Sequence, residues 1–249
     1  MTEVTTERFG PLRYRLVAPT KSPQFAIVLC HGYGAPGDDL VAFADAFLRL
    51  EPRLADEAIF AFPEAPLSLG GVGPWEARAW WPIDIEALER ALAEGRSFAA
   101  GRAAPDGLPE ARAQLAASLE PFCARFALGT DRCVLGGFSQ GAMIATDLGL
   151  RLSPAPLGLA LFSGTLLTPT EWRPLAATLA ASARVPWILQ SHGRQDSLLS
   201  FGAATALRDL LVEAGLAVEF VAFDGPHTIP PEALDRCARL LAAHRGSRP

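Results

Sequence analysis

The chain has 249 residues, half of them hydrophobic, with a formal net charge of −5 and one lysine, Lys21. That length and apolar content suit a single domain, residues 1–249, with a sizeable core. An acidic balance with scattered arginines and no basic run argues against nucleic acid or an anionic membrane as partner.

Met1 to Arg15 is polar and mixed in charge, without the basic start and apolar stretch of a secretory signal. No uninterrupted apolar run reaches the length of a membrane helix. The expectation is a cytoplasmic protein with no stable membrane insertion. Cys30, Cys123, Cys133 and Cys237 show no C-x-x-C pairing and are expected to be buried, reduced thiols.

Tyr14 to Pro19 reads as an early edge strand, and Phe25 to Cys30 as a strand buried on both faces. The latter runs into the glycine-rich loop His31-Gly32-Tyr33-Gly34, whose backbone amides can point into a cavity. Asp38 or Asp39 is expected to cap a helix through Ala42, Phe43, Ala46, Phe47 and Leu50. Glu57 to Phe62 is the next strand, stopped by Pro63.

From Glu64 to Pro82 the sequence is irregular, and residues 64–109 as a whole read as a substrate-side insertion of loops and one helix, Ile83 to Ala93. Trp75, Trp80 and Trp81 are candidates for the wall of an apolar substrate groove, packing over the core edge being the alternative. Gly95 to Pro109 is a second loop. Ala111 to Leu128 follows as a helix that Pro121 is expected to kink or split.

Cys133 to Phe138 is apolar, and Ala142, Met143, Ile144, Leu148 and Leu150 line a buried helix. Between them stands Gly137-x-Ser139-x-Gly141, the pattern of a nucleophile elbow. In such a turn a strained strand-to-helix reversal thrusts a serine hydroxyl out of the sheet, and glycines let strand and helix approach closely. The remaining elements are a strand from Leu157 to Phe162, a helix from Pro174 to Ala183 and a strand from Trp187 to Ser191. Then come a helix from Ser200 to Ala214, a strand from Ala217 to Phe223 and a helix from Pro231 to Ala243. Alternating strands and helices predict an α/β fold, a mostly parallel central sheet with helices on both faces, and bring the polar loops to one edge.

A serine hydroxyl needs a base, normally a histidine steered by a carboxylate. In α/β-hydrolases the order is serine, acid, histidine, which leaves His192, His227 and His244 downstream of Ser139. His192 precedes Asp196 on one short loop, and His244 lies in a charged end. His227, in the turn after the last strand, is the expected base. Asp196, after the penultimate strand, is the expected acid, with capping of the following helix as its other reading. Asp224 caps its own turn in this scheme. The backbone N–H groups of Tyr33 and Gln140 are the expected oxyanion donors.

These residues resemble the acyl-protein thioesterase, or phospholipase/carboxylesterase, branch of the α/β-hydrolases. The resemblance rests on His31-Gly-Tyr-Gly, Gly136-Gly-Phe-Ser-Gln-Gly-Ala142, His192-Gly-x-x-Asp196 and the Gly-x-His-Thr turn at His227, and it runs from Phe25 to the C-terminus. Trp81-x-x-Asp84-Ile85 is similar to the segment after the family's substrate loop. The resemblance implies an α/β-hydrolase fold, Ser139, Asp196 and His227 as triad, and Tyr33 and Gln140 as oxyanion donors. It also implies small-molecule, lipid or protein esters or thioesters as substrates, without a cofactor or metal. Residues 70–109 look longer than the family pattern and Trp80-Trp81-Pro82 bulkier, which leaves acyl length open. The competing readings are an inert binding module on the same fold and another acyl transfer, such as peptide cleavage.

Overall fold

The computed structural model describes residues 3–71, 76–84, 86, 90, 94 and 104–244. Its strands are β1 (Thr5–Phe9), β2 (Leu12–Val17), β3 (Phe25–Cys30), β4 (Ala58–Pro63), β5 (Leu67–Gly70), β6 (Ala77–Ala79), β7 (Cys133–Phe138), β8 (Gly158–Phe162), β9 (Trp187–Gly193) and β10 (Val218–Phe223). Eight of them form one sheet in the order β1-β2-β4-β3-β7-β8-β9-β10, and β5 pairs with β6 apart from it. From β4 to β10 the neighbours run parallel, while β1 and β2 join antiparallel.

The described helices are α1 (Ala42–Leu50), α2 (Leu54–Glu57), α3 (Leu108–Arg125), α4 (Gln140–Gly149), α5 (Pro169–Ala180), α6 (Phe201–Glu213) and α7 (Pro231–His244). They cover both faces, which is why β3, β4 and β8 are buried along their whole length. One apolar layer joins Leu119 and Phe122 of α3, Ile144 of α4, Trp172 of α5 and Leu207 of α6. The opposite layer joins Phe47 of α1 and Leu241 of α7 to Ile27, Phe60 and Val134 of the sheet.

Several expected elements are placed differently. Tyr14 is not on an edge, because β1 pairs alongside it from Thr5↔Leu16 to Phe9↔Leu12. An edge strand that buries only Phe9 gives no apolar signal. Neither Asp38 nor Asp39 caps α1: the cap position is Val41, without a side-chain bond, and the entry is a backbone turn in which Val41 N–H donates to Asp38 O at 3.1 Å. The stretch after Glu64 contains the antiparallel β5–β6 pair, whose first strand is exposed at every position. Two helices start earlier than predicted, at Leu108 and Pro169, each with a proline in its first turn. There the missing N–H costs no hydrogen bond. Pro121 lies within α3 without splitting it. The helix expected over Ile83 to Ala93, and most of the Gly95 to Pro109 loop, fall outside the described residues.

The four cysteines are free and buried, as expected, and Cys123 Sγ of α3 lies 3.5 Å from Cys133 Sγ of β7. Among the described residues no helix is long and apolar enough to cross a membrane.

From β3 the chain crosses to β4 on one side and later returns to β7 on the other. The ends of β3 and β7 therefore flank the point where the winding reverses, the usual place for a ligand crevice in a parallel sheet.

Candidate active site

β7 ends at Phe138 and α4 begins at Gln140, so one residue makes the whole reversal. That residue, Ser139, has φ 56° and ψ −120°, a conformation that costs a non-glycine residue roughly 1–3 kcal/mol. The surroundings enforce it: Ser139 N–H donates to Phe162 O of β8 at 2.9 Å. The flanking glycines are steric requirements, since a Cβ at Gly141 would stand 1.9 Å, and one at Gly137 2.2 Å, from Cys30 O.

The loop bearing Tyr33 is pinned by side chains on either side. His31 is buried, its Nδ1–H donating to Gly32 O at 2.8 Å and its Nε2 accepting Ala65 N–H at 3.0 Å. Burial lowers the pKa of this imidazole, in keeping with a ring that must accept at Nε2. The indole N–H of Trp80 donates to His31 O at 3.0 Å.

On the other side of Ser139, Asp196 and His227 meet as their strand ends suggest. His227 Nδ1 and Asp196 Oδ2 are 2.6 Å apart, and Asp196 Oδ1 accepts the N–H groups of Leu198 and Leu199, each at 2.9 Å. Burial pushes the carboxyl pKa up, but His192, His227 and the Leu199 N–H outweigh it and hold the group below the usual carboxylate range. The His227 ring lies 4.6 Å, centroid to centroid, from that of Phe138, the residue before Ser139. Ser163 Oγ at the end of β8 donates to Thr228 O at 3.0 Å and steadies the turn.

The alternatives resolve spatially. Asp196 does not cap α6, because Ser200 is the N-cap and accepts Ala203 N–H at 3.1 Å. Asp224 is exposed and pairs with Arg194 at 3.4 Å. His192 is on strand β9 and not in a loop.

Two cavities meet at Ser139. One, of about 130 Å³, is walled by Trp81, Met143, Thr165 and Leu167 and reaches Tyr33 and Gln140. The other, of about 200 Å³, is walled by Gly32, Phe138, Leu198, Leu199 and His227. Of the three tryptophans, Trp81 lines the first cavity as expected. Trp80 is turned into the core, 2 % exposed and on neither cavity wall, because its indole N–H finds its acceptor beneath the Tyr33 loop. Trp75 lies outside the described residues.

The model of a family described as Phospholipase/Carboxylesterase matches residues 13–245. The chain belongs to this family. It is accordingly an α/β-hydrolase and a serine hydrolase of the carboxylesterase and thioesterase class. Acyl-protein thioesterase 1 from Eremothecium gossypii is 27 % identical over 243 residues, 92 % of each chain. The acyl-protein thioesterase 1 of Neurospora crassa is 27 % identical over 219 residues, 86 % of this chain and 84 % of that one. The crystal structure of esterase PE8 superposes with TM-score 0.72 at 29 % identity, covering 96 % of this chain and 99 % of that one.

Within this phospholipase/carboxylesterase member, three residues hold the site in ways that sequence reasoning did not find. They are His31, the side chain of Gln140 and His192. Gln140 was expected to act through its backbone alone, yet its buried amide bonds to Trp80 and Trp81. No local signal announces a partner 60 residues away in sequence.

Proposed function

We propose that this chain hydrolyses carboxylic esters or thioesters through an acyl-enzyme on Ser139. Ser139 Oγ attacks the acyl carbonyl, and the imidazole of His227 takes the hydroxyl proton. The same imidazole then delivers that proton to the departing alkoxide or thiolate, so that the leaving group exits as alcohol or thiol. Water, deprotonated by His227, attacks the acyl-enzyme and releases the acid, returning the proton to Ser139. Asp196 accepts Nδ1–H of His227, fixing the tautomer and stabilising the imidazolium. The backbone N–H groups of Tyr33 and Gln140 hold the oxyanion, each such donor contributing about 3 kcal/mol to the transition state.

The observation that carries this reading is the 2.6 Å contact from His227 Nδ1 to Asp196 Oδ2, on a histidine that shares a cavity wall with Ser139. The family model's span from 13 to 245 supports treating the chain as one hydrolase unit, and Trp81, Pro82 and Pro105 on the cavity wall at Ser139 support a substrate-side role for the 64–109 segment. Four free, buried cysteines support a cytoplasmic setting. The relatives named acyl-protein thioesterase support including thioesters beside oxygen esters as candidate substrates.

Ser139→Ala tests the nucleophile. Turnover of p-nitrophenyl esters should fall by roughly 10⁶-fold with the circular dichroism spectrum unchanged, and a fluorophosphonate should label the parent protein but not the variant. Activity retained by the variant would refute the assignment. Rates across esters of increasing acyl length, with one thioester, then identify the preferred substrate.

A further inference from the structure

β9 continues past Ser191 into His192 and Gly193, and neither residue has a part in the reaction described above. His192 is fully buried. Its Nε2 stands 2.9 Å from Leu199 O and 3.2 Å from Asp196 Oδ2. A carbonyl and an ionised carboxylate only accept, so Nε2 carries the hydrogen and donates to both. Asp196 Oδ2 is thus the shared acceptor of two imidazoles, His227 and His192.

The cost of this arrangement is visible on the other side of the ring. His192 Nδ1 is buried with no hydrogen-bond partner among the described residues. A buried polar atom left unpaired is destabilising, and an aliphatic side chain of similar size would avoid it. Stability alone does not account for an imidazole here; a donor aimed at Asp196 does.

We infer that His192 is a positioning residue: it holds the Asp196 carboxylate so that Oδ2 faces His227. The inference rests on the triad reading given above. Four contacts fix the frame. Leu198 and Leu199 N–H groups clamp Oδ1, His192 constrains Oδ2, and Leu199 O anchors His192 in turn. Gly193 completes it, because a Cβ there would meet Gly225 O at 2.3 Å and Pro226 O at 2.5 Å. The turn that carries His227 therefore rests directly on the end of the strand that carries His192, and Gln195 N–H donates to Gly225 O at 3.0 Å.

The titratable groups facing His192 are Asp196 and, across it, His227. At this edge the exposed Arg194 and Asp224 pair with each other, and Phe201 of α6 presents a ring 6.3 Å away. Removing the donor leaves the carboxylate more basic towards His227, so protonated His227 is held more strongly.

Three variants test this: His192→Leu removes the donor, His192→Gln retains an N–H near the Nε2 position, and His192→Asn places its amide short of it. Rates are normalised to sites titrated with a fluorophosphonate, so loss of folded protein does not register as loss of rate. In His192→Leu, kcat should fall about tenfold, the rate equivalent of one charge-assisted hydrogen bond. KM should stay near the parent value, and the acid limb of the kcat/KM profile should move to higher pH. His192→Gln should recover most of both effects, and His192→Asn should not. Parent rates and an unmoved acid limb in His192→Leu, or equal behaviour of the Gln and Asn variants if the Leu variant does not fold, would overturn the inference. An active Ser139→Ala would instead overturn the triad reading beneath it.

Discussion

Gln140 grips the backbone of Trp80: Oε1 accepts the Trp80 N–H at 2.8 Å, and Nε2 donates to Trp81 O at 2.9 Å. The residue that follows Ser139 thereby fastens the segment that walls the neighbouring cavity. Backbone and side chain of one glutamine serve the same pocket from two directions.

Replacing Gln140 with Leu keeps the backbone N–H and deletes both side-chain bonds. Two buried hydrogen bonds of this kind are together worth about 2 kcal/mol, which urea denaturation should register. Because Trp81 lines the cavity, KM should rise more than kcat falls in Gln140→Leu.

Gly141→Ala probes the elbow itself. A methyl placed 1.9 Å from Cys30 O and 2.5 Å from His31 O has backbone on both sides and no flexible neighbour to displace. The expected destabilisation is about 3 kcal/mol, read from the denaturation midpoint, with ester turnover lost in proportion to the displaced Tyr33 loop.

Asp196→Asn tests the orientation of His227. The amide oxygen can still accept from Leu198 and Leu199, while its N–H₂ then faces His227 Nδ1 and favours the opposite tautomer. A near-native fold with kcat lowered roughly 10⁴-fold is expected, measured with saturating ester.

Stability should fall in two stages as acid is added. His31 has a pKa lowered from 6.5, so the unfolded chain binds its proton first. Its contribution is complete above pH 6.5 and declines as pH falls below that value. Asp196, lowered from 3.8, contributes fully above pH 3.8 and loses that contribution at lower pH. Melting temperatures across pH should show both slopes, and His31→Gln, which keeps an acceptor for Ala65 N–H, should flatten only the first.

Much of this was legible because it is local. The run Phe25–Cys30 is apolar at every position since both its faces are covered, and the glycines around Ser139 announce a turn that only small residues permit. The strand ends that bring Asp196 to His227 followed from the order of elements. What escaped notice depends on distant partners or on exposure. Thr5–Phe9 is polar because one side faces solvent, and Leu67–Gly70 is exposed throughout. Trp80 stayed open between groove wall and core packing because nothing near it in sequence reveals that His31 O accepts its indole N–H. His192 was set aside as a base by its order in the chain, whereas its contact with Asp196 appears only once β9 is seen to reach Gly193.

The parallel sheet draws its site from the ends of β3, β7, β9 and β10, which spreads the needed residues from position 33 to position 227. With His227 as the proposed base, a chain still being synthesised carries Ser139 long before it owns the group that would activate it. On the proposed triad, hydrolysis during translation is not expected, and a protein shortened before β10 would lack the proposed base along with a strand of its sheet.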